Sequence, residues 1–287
     1  MDLCIYTDRI PAEGETITGH SFKTSPSGKG SNQAIAAAKL GGNVKFLGAV
    51  GDDAYGTELL ENLSKNNVDF RGKRIEDTST GIAVITVCNG NNSIIIDKGA
   101  NGKITSQYIN ECEDLFEWAD YVVMQAEIPE DAIIASAKCA KKHSAKVIFN
   151  PAPYKVFSDE LYDYVDFIIP NETETELMTG IHLDNDESIN KAVKEIRNKG
   201  ITDVIITLGE RGAAYSFSDE VKYIPAKKVK AVDTTAAGDC FIGAFTTKLA
   251  AGNSIIEAME FATRAASIAV SRYGASDSLP TREELKD

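Results

Sequence analysis

Apolar residues recur along this chain in two rhythms. From Thr105 onward, short apolar runs alternate with stretches of helical period. Tyr121 to Gln125, Lys146 to Phe149, Phe167 to Ile169 and Asp203 to Thr207 read as strands. Tyr108, Ile109, Cys112, Leu115 and Phe116 form a helical stripe between them. This alternation predicts an α/β fold: a doubly wound, mostly parallel sheet with helices on both faces. Near the C-terminus Phe241, Phe245 and Leu249 recur at i, i+4 and i+8 until Gly252. Ser254-Ile255-Ile256-Glu257 is a capping box, and its helix runs through Phe261 and Ile268 to a stop near Gly274.

The first hundred residues read differently. Met1 to Tyr6 is extended, a turn follows at Arg9 to Gly14, and Thr16 to Gly19 reads as a second short strand. Ser31-Asn32-Gln33 opens a helix from Ala34 to Leu40. Lys45 to Val50 reads as a buried strand, and Leu59, Leu60 and Leu63 mark a helix. Gly81 to Cys88 and Ser93 to Lys98 flank Asn89-Gly90-Asn91-Asn92, a strong hairpin signal. Ile82, Val84, Thr86 and Cys88 alternate with Ala83, Ile85 and Val87, so both strand faces are apolar. Two strands cannot bury both faces alone. Strands from about 2–22 and 81–98 therefore predict a small β lid whose spare face meets a partner or closes over substrate. No linker or repeat divides residues 1–287, which read as a single domain.

The 287 residues suffice for a substantial core. The net charge of −13, with no Lys/Arg run, argues against nucleic acid as a partner. The apolar runs are too short to span a membrane, and the N-terminus lacks the pattern of a signal peptide. Cys4, Cys88, Cys112, Cys139 and Cys240 are scattered without metal-like or redox-like spacing, which points to reduced thiols and the cytoplasm. His20, His143 and His182 read as surface residues.

The candidate chemistry centres on Val232-Asp233-Thr234-Thr235-Ala236-Ala237-Gly238-Asp239-Cys240-Phe241-Ile242-Gly243. Ala236, Ala237 and Gly238 expose backbone at a helix start, where free N–H groups and the dipole favour an anion. Asp239 sets a carboxylate in that site, either as a cap or as a general base beside a phosphate. Ser27-Gly28-Lys29-Gly30 lets backbone approach a ligand. It is not a P-loop, because Lys23 occupies the first glycine position. Gln33 replaces the third glycine of a dinucleotide fingerprint. Four polar or glycine-rich segments follow successive strands: Gln125-Ala126-Glu127, Asn150-Pro151-Ala152-Pro153, Asn171 with Glu174, and Gly209 to Gly212. Ligands gather at the carboxyl ends of such strands. Taken singly, Glu127 reads equally as a cap before the helix at Pro129, Asn171 to Glu174 as a solvated helix start, and Gly209 to Gly212 as a mere turn.

These motifs resemble, in order and over nearly the whole chain, the ribokinase-like (phosphofructokinase-B-type) carbohydrate kinases. Val232 to Gly243 resembles the family's C-terminal signature, and Ser27 to Gln33 its sugar loop. Pro170-Asn171-Glu172-Thr173-Glu174 and Thr207-Leu208-Gly209-Glu210-Arg211-Gly212 resemble two further motifs. The resemblance implies phosphoryl transfer from ATP to a sugar hydroxyl, with ribose the first expectation. Deoxyribose, fructose, a nucleoside or a hexose phosphate are the alternatives. A hexose phosphate would need a further basic group beside Lys29 and Lys23.

By this resemblance Asp239 is the base, and Ala236, Ala237 and Gly238 form the anion turn. Asp2, Gly28, Lys29, Gly30, Asn32 and Glu127 bind sugar. Asn171, Thr207, Gly209, Gly212, Gly238 and Thr263 approach ATP. Glu174 orders Mg²⁺ through water. Asp233, Thr235, Ala269, Arg272, Gly274 and Ser278 surround a monovalent cation, K⁺. Thr263 departs from the histidine found in some members. Homodimers through the lid are frequent in the family. A core strand precedes Asp2 in the family, whereas here none stands ahead of Met1. A sugar- or nucleotide-binding protein without catalysis is a reading from another class, and a Rossmann dehydrogenase is a third.

Overall fold

The computed structural model describes residues 1–88, 91–217 and 220–285. In chain order it begins with β1 (Asp2–Thr7), β2 (Ser21–Ser25) and α1 (Lys29–Lys39). Next come β3 (Lys45–Phe46), β4 (Ala49–Gly51), α2 (Ala54–Lys65), β5 (Asp69–Phe70) and β6 (Lys73–Ile75). The hairpin strands β7 (Ile82–Cys88) and β8 (Asn91–Asp97) precede α3 (Ser106–Glu111) and α4 (Glu113–Trp118). The alternating part holds β9 (Tyr121–Met124), α5 (Glu130–Lys142), β10 (Lys146–Phe149), α6 (Asp159–Tyr162) and β11 (Phe167–Ile168). It continues through α7 (Glu172–Thr179), α8 (Asp186–Arg197), β12 (Asp203–Thr207), β13 (Ala213–Phe217) and β14 (Glu220–Ile224). Helices α9 (Ala237–Ala250) and α10 (Ile255–Ala269) complete the core.

The main sheet has the order β14-β13-β12-β11-β10-β9. Strands β9 to β12 are parallel, and β13 and β14 add an antiparallel edge. Alternate residues face opposite cores. Val147, Phe149, Val204 and Ile206 pack towards α5 and α8. Ile148 and Ile205 pack towards α1, α9 and α10. A sheet covered on both faces needs continuous apolar strands, and these four supply them.

The lid is a separate sheet of order β2-β1-β7-β8. Here the strand expected at Thr16 to Gly19 is displaced. That segment is irregular, and the strand pairing with β1 is Ser21–Ser25, with Asp2 opposite Ser25. Cross-strand pairing, not local alternation, sets the register. The hairpin forms with Cys88 opposite Asn91. The expected turn at residues 89–90 lies outside the described residues. Lys45 to Val50 is not one strand but two, broken at Leu47 and Gly48, each pairing with a different short strand. The stripe from Tyr108 to Phe116 divides into two helices at Cys112. Among the described residues no helix is long and apolar enough to cross a membrane.

Candidate active site

Helix α9 starts without a side-chain cap. Its N-cap is Ala236, in the left-handed region at φ 59° and ψ 8°. The Ala237 N–H is already given to the Thr234 carbonyl at 3.2 Å, so the donors left for an anion lie further along the turn. At Gly238 an added Cβ would meet nothing within 4 Å, so the turn faces open space. An uncapped, open helix start of this kind suits an anion.

Asp239 stands in that first turn but does not cap it. Its carboxylate is buried and turned sideways onto α1. Oδ2 accepts from Asn32 Nδ2 at 3.0 Å, and Oδ1 accepts from Gln33 Nε2 at 3.0 Å. The two helices can come this close because Gly243 lies one turn further along α9. A Cβ there would stand 2.6 Å from the Gln33 carbonyl and 2.7 Å from Ala36 Cβ. Gln33 is itself held from behind: its Oε1 accepts from Gln125 at 2.7 Å, and its Nε2 also reaches Asn150 Oδ1 at 3.2 Å. Gln33, Gln125 and Asn150 are positioning residues that the motif reading left without a role. The signal for them was their place at strand ends and in the sugar loop. With its amide given to Asp239, Asn32 keeps a buried Oδ1 with no partner. A buried acceptor left open at a site is costly unless a ligand donor meets it.

The sugar-loop residues gather round this pair. Gly28 precedes α1 at φ 152°, a region closed to most side chains, and Ser27 is buried. The Lys29 N–H donates to Glu127 Oε2 at 3.1 Å, so Glu127 serves α1 and not the helix that follows it. Asp2 is half-buried at the start of β1. Four carboxyl groups are thus brought towards one lysine. Burial pushes Asp239 above its ordinary value, although Lys29 and the hydrogen bonds from Gln33 and Asn32 oppose the shift. Burial also raises Glu127, opposed by Lys29, and Asp2, opposed by Ser27 and the Met1 ammonium. Glu174 is raised by burial against Asn171 and Lys29. A buried carboxyl with a raised pKa is suited to take up a proton near neutrality.

The other end of the site is made of backbone. Asn171 and Glu174 form a capping box on α7, in which Glu174 is buried and Asn171 exposed, with the Glu174 N–H donating to Asn171 Oδ1 at 2.8 Å and the Asn171 N–H to Glu174 Oε2 at 2.9 Å. The helix start is therefore solvated at Asn171 and Thr173 but closed at Glu174. Asn171 bridges to Thr207 across the sheet end. The turn after β12 contains Gly209 at φ 53° and Gly212 at φ 97°, closed by Leu208 N–H to the Gly212 carbonyl at 2.8 Å. A Cβ on Gly212 would lie 2.0 Å from the Ile224 carbonyl, so glycine is required there. Thr263 is buried on α10, and its Oγ1 has no partner.

Asp233 draws the C-terminal loop towards α9. Its Oδ1 accepts from Thr235 N–H at 2.9 Å and its Oδ2 from Gly274 N–H at 3.0 Å. Burial pushes its carboxyl up, but the bonds from Thr235 and Gly274 outweigh this and hold it low. Among the described residues no hydrogen bond joins Ala269, Arg272 or Ser278 to Asp233. The Arg272 guanidinium is turned to Glu284, and Ser278 is buried against the Ala275 carbonyl. His143, expected at the surface, is half-buried, with Nε2 2.7 Å from Glu113 Oε1.

The profile of the pfkB family carbohydrate kinases matches residues 1–282. The chain is 40% identical to a ribokinase of Bacillus subtilis over 289 residues, covering 100% of this chain and 95% of the relative. It is 36% identical to a deoxyribokinase of Salmonella typhi over 290 residues, again covering 100% and 95%. Among solved structures, an Arabidopsis thaliana ribokinase complexed with ribose and ATP superimposes with a TM-score of 0.93 at 34% identity, covering 99% of this chain and 94% of that one.

Proposed function

The chain belongs to the pfkB family of carbohydrate kinases, and on that footing we propose that it transfers the γ-phosphoryl group of ATP to the 5-hydroxyl of D-ribose, giving D-ribose 5-phosphate and ADP. The enzyme is a phosphotransferase with an alcohol group as acceptor. The observation that carries the proposal is the buried Asp239 carboxylate, fixed by Asn32 and Gln33 beside an uncapped helix start.

Asp239 takes the proton of the sugar hydroxyl as its oxygen attacks the γ-phosphorus. A positioned base contributes about 10²–10⁴-fold. The free N–H groups of the first turn of α9 face the charge that develops on the transferred group, and losing one such donor costs roughly 3 kcal/mol. Asn32 Oδ1, Glu127 and Asp2 accept sugar hydroxyl protons, while Lys29 balances their charge. Asn171, Thr207, Gly209 and Gly212 form the nucleotide end, and Thr263 offers its unpartnered hydroxyl there.

Glu174 would hold Mg²⁺ through water. A lone buried carboxylate fits an ion that keeps most of its waters, and that ion would supply charge neutralisation on the phosphates. Asp233 with the carbonyl-rich loop to Ser278 fits a hard monovalent cation, K⁺, which would fix the C-terminal loop against the anion turn. The lid carries exposed Phe22, Ile94, Ile95 and Ile96, with Ile95 74% exposed, which supports a homodimer through this face. Five free cysteines support a reducing, cytoplasmic setting.

The test is ADP release with a panel of sugars. D-ribose is expected to give the highest kcat/KM. The deoxyribokinase relative makes 2-deoxyribose the rival substrate. A site that binds the 2-hydroxyl should favour ribose by about tenfold or more. Ribose binding seen by calorimetry without ADP release would refute catalysis.

A further inference from the structure

Away from the catalytic groups, another cluster of side chains has the chemistry of a ligand set. Glu113, Cys139 and His143 each bring one metal-binding atom, and these atoms lie within 4.8 Å of one another. Among the described residues no other three His, Cys, Asp or Glu side chains come together so closely. Spacing along the chain shows only part of the group. Cys139 and His143 are one helical turn apart, while Glu113 comes from another helix.

Two helices set the geometry. Cys139 and His143 stand at i and i+4 on α5, so they share a face. His143 is the C-cap of that helix, and Ser144, at φ 63°, turns the chain away behind it. Glu113 is the first residue of α4, put there by the break at Cys112. Phe116 of α4 and Cys139 of α5 are buried in the same core, which holds the two helices against each other. His143 Nε2 stands 2.7 Å from Glu113 Oε1, and Lys142 Nζ donates to the same oxygen. Cys139 is buried, whereas the Glu113 and His143 side chains are 40% and 20% exposed. The group is thus closed on the sulfur side and open to solvent on the other. A buried cysteine is ordinarily a small core residue. This one differs in carrying an imidazole and a carboxylate over its sulfur.

We propose that Glu113, Cys139 and His143 bind one Zn²⁺, with a water as fourth ligand, and that the ion ties the start of α4 to the end of α5. Thiolate, imidazole and carboxylate together suit zinc, whereas Mg²⁺ takes oxygen ligands. Tetrahedral bonds of about 2.0–2.3 Å set the ligand atoms roughly 3.3–3.6 Å apart. The 4.8 Å spread must then close by about 1 Å and the 2.7 Å pair open by about half that. Rotations of the Glu113 and His143 side chains supply shifts of this size. Binding forms Zn–S, Zn–N and Zn–O bonds, breaks the Glu113–His143 hydrogen bond and releases the Cys139 thiol proton to water. Burial and Glu113 push that thiol up, against Lys142, so the proton is there to be released. Thiolate and carboxylate together neutralise the ion. The site lies at the opposite end of α5 from Glu127 and is independent of sugar and nucleotide.

The test uses the full chain, kept reduced and stripped of metal with a chelator. Calorimetry should show one Zn²⁺ per chain with a Kd on the order of 1 μM. Co²⁺ in its place should give the thiolate charge-transfer band and intense visible bands of a tetrahedral ion. Cys139→Ser should lose that band and weaken Zn²⁺ binding about 100-fold or more, and Glu113→Gln, a surface change, about tenfold. Lys142→Ala removes a competitor for Glu113 and should tighten binding. Zn²⁺ at about 100 times its Kd should raise the thermal midpoint of wild type by about 5 °C and leave Cys139→Ser unmoved. If Cys139→Ser folds poorly, the cobalt spectrum of wild type and the affinity of Glu113→Gln decide. Equal Zn²⁺ affinity in wild type and the variants, or a cobalt spectrum without a thiolate band, would overturn the assignment.

Discussion

The two ends of the site are built from different materials. At the proposed sugar end, side chains do the holding: Asp239, Asn32, Gln33, Gln125 and Asn150 form a largely buried network whose parts are locked by one another. At the proposed nucleotide end the frame is main chain: an uncapped helix start, and a turn whose Gly209 and Gly212 adopt positive φ. A small sugar must be told from other sugars by hydroxyl pattern, which needs specific donors and acceptors. A triphosphate is anionic along its whole length and can be met by repeated N–H groups. The lesson is that the sugar end should fail when charge or polarity changes. The nucleotide end should fail when volume is added.

The largest effect is expected for Asp239→Asn. Loss of the base should lower kcat about 10²–10⁴-fold. The same change removes a buried charge, so the thermal midpoint should rise, by about 0.5–2 kcal/mol in stability. The Asn32 amide can rotate to present its open Oδ1 to the new amide. Next is Gly212→Ala, whose Cβ would collide with the Ile224 carbonyl. It should cost about 3 kcal/mol in chemical unfolding. Gly209→Ala is the sharper control. Its Cβ would meet only Glu172 Oε2 at 3.7 Å, so the cost should stay near 1 kcal/mol. Equal losses for the two glycine variants would break the comparison.

Glu127→Gln keeps an acceptor for the Lys29 N–H but drops the charge. Its KM for ribose should rise about tenfold while KM for ATP stays within error, because a hydrogen bond to a charged group is worth about 1.5–3 kcal/mol. The pH profile gives the smallest effect. Asp239 and Glu127 are both raised by burial, so kcat/KM should fall on the acid side at a pH above the ordinary carboxylate range. The sign for stability is opposite. A raised carboxyl contributes stability that is fully present below its unfolded value and is lost as pH rises through its folded one. Thermal melts of wild type should therefore show a loss between mild acid and neutrality that Asp239→Asn reduces.

Much of this was legible because the signals are local. The helix start at Ala236 to Asp239, the capping box at Ser254 and the four strand-end segments are each read within a few residues. The failures share a cause. Thr16 to Gly19 alternates like a strand, yet pairing with β1 puts the strand at Ser21–Ser25. The break at Leu47 and Gly48 follows from two separate partners, β5 and β6. The reading of Asp239 as a cap could not anticipate its turn onto α1, because Asn32 lies 207 positions away. Nor could pattern show that Gly243 is what lets those helices meet.

The central claim is that Asp239 moves a proton while the phosphoryl group moves. Its most direct test is a single-turnover measurement of ribose phosphate formation by wild type and Asp239→Asn at saturating ATP and ribose, with ATP affinity measured on the same samples. The account predicts a transfer rate at least about 100-fold slower in the variant with ATP affinity unchanged within about threefold. Transfer at the wild-type rate, or a loss that tracks weakened ATP binding, would contradict it.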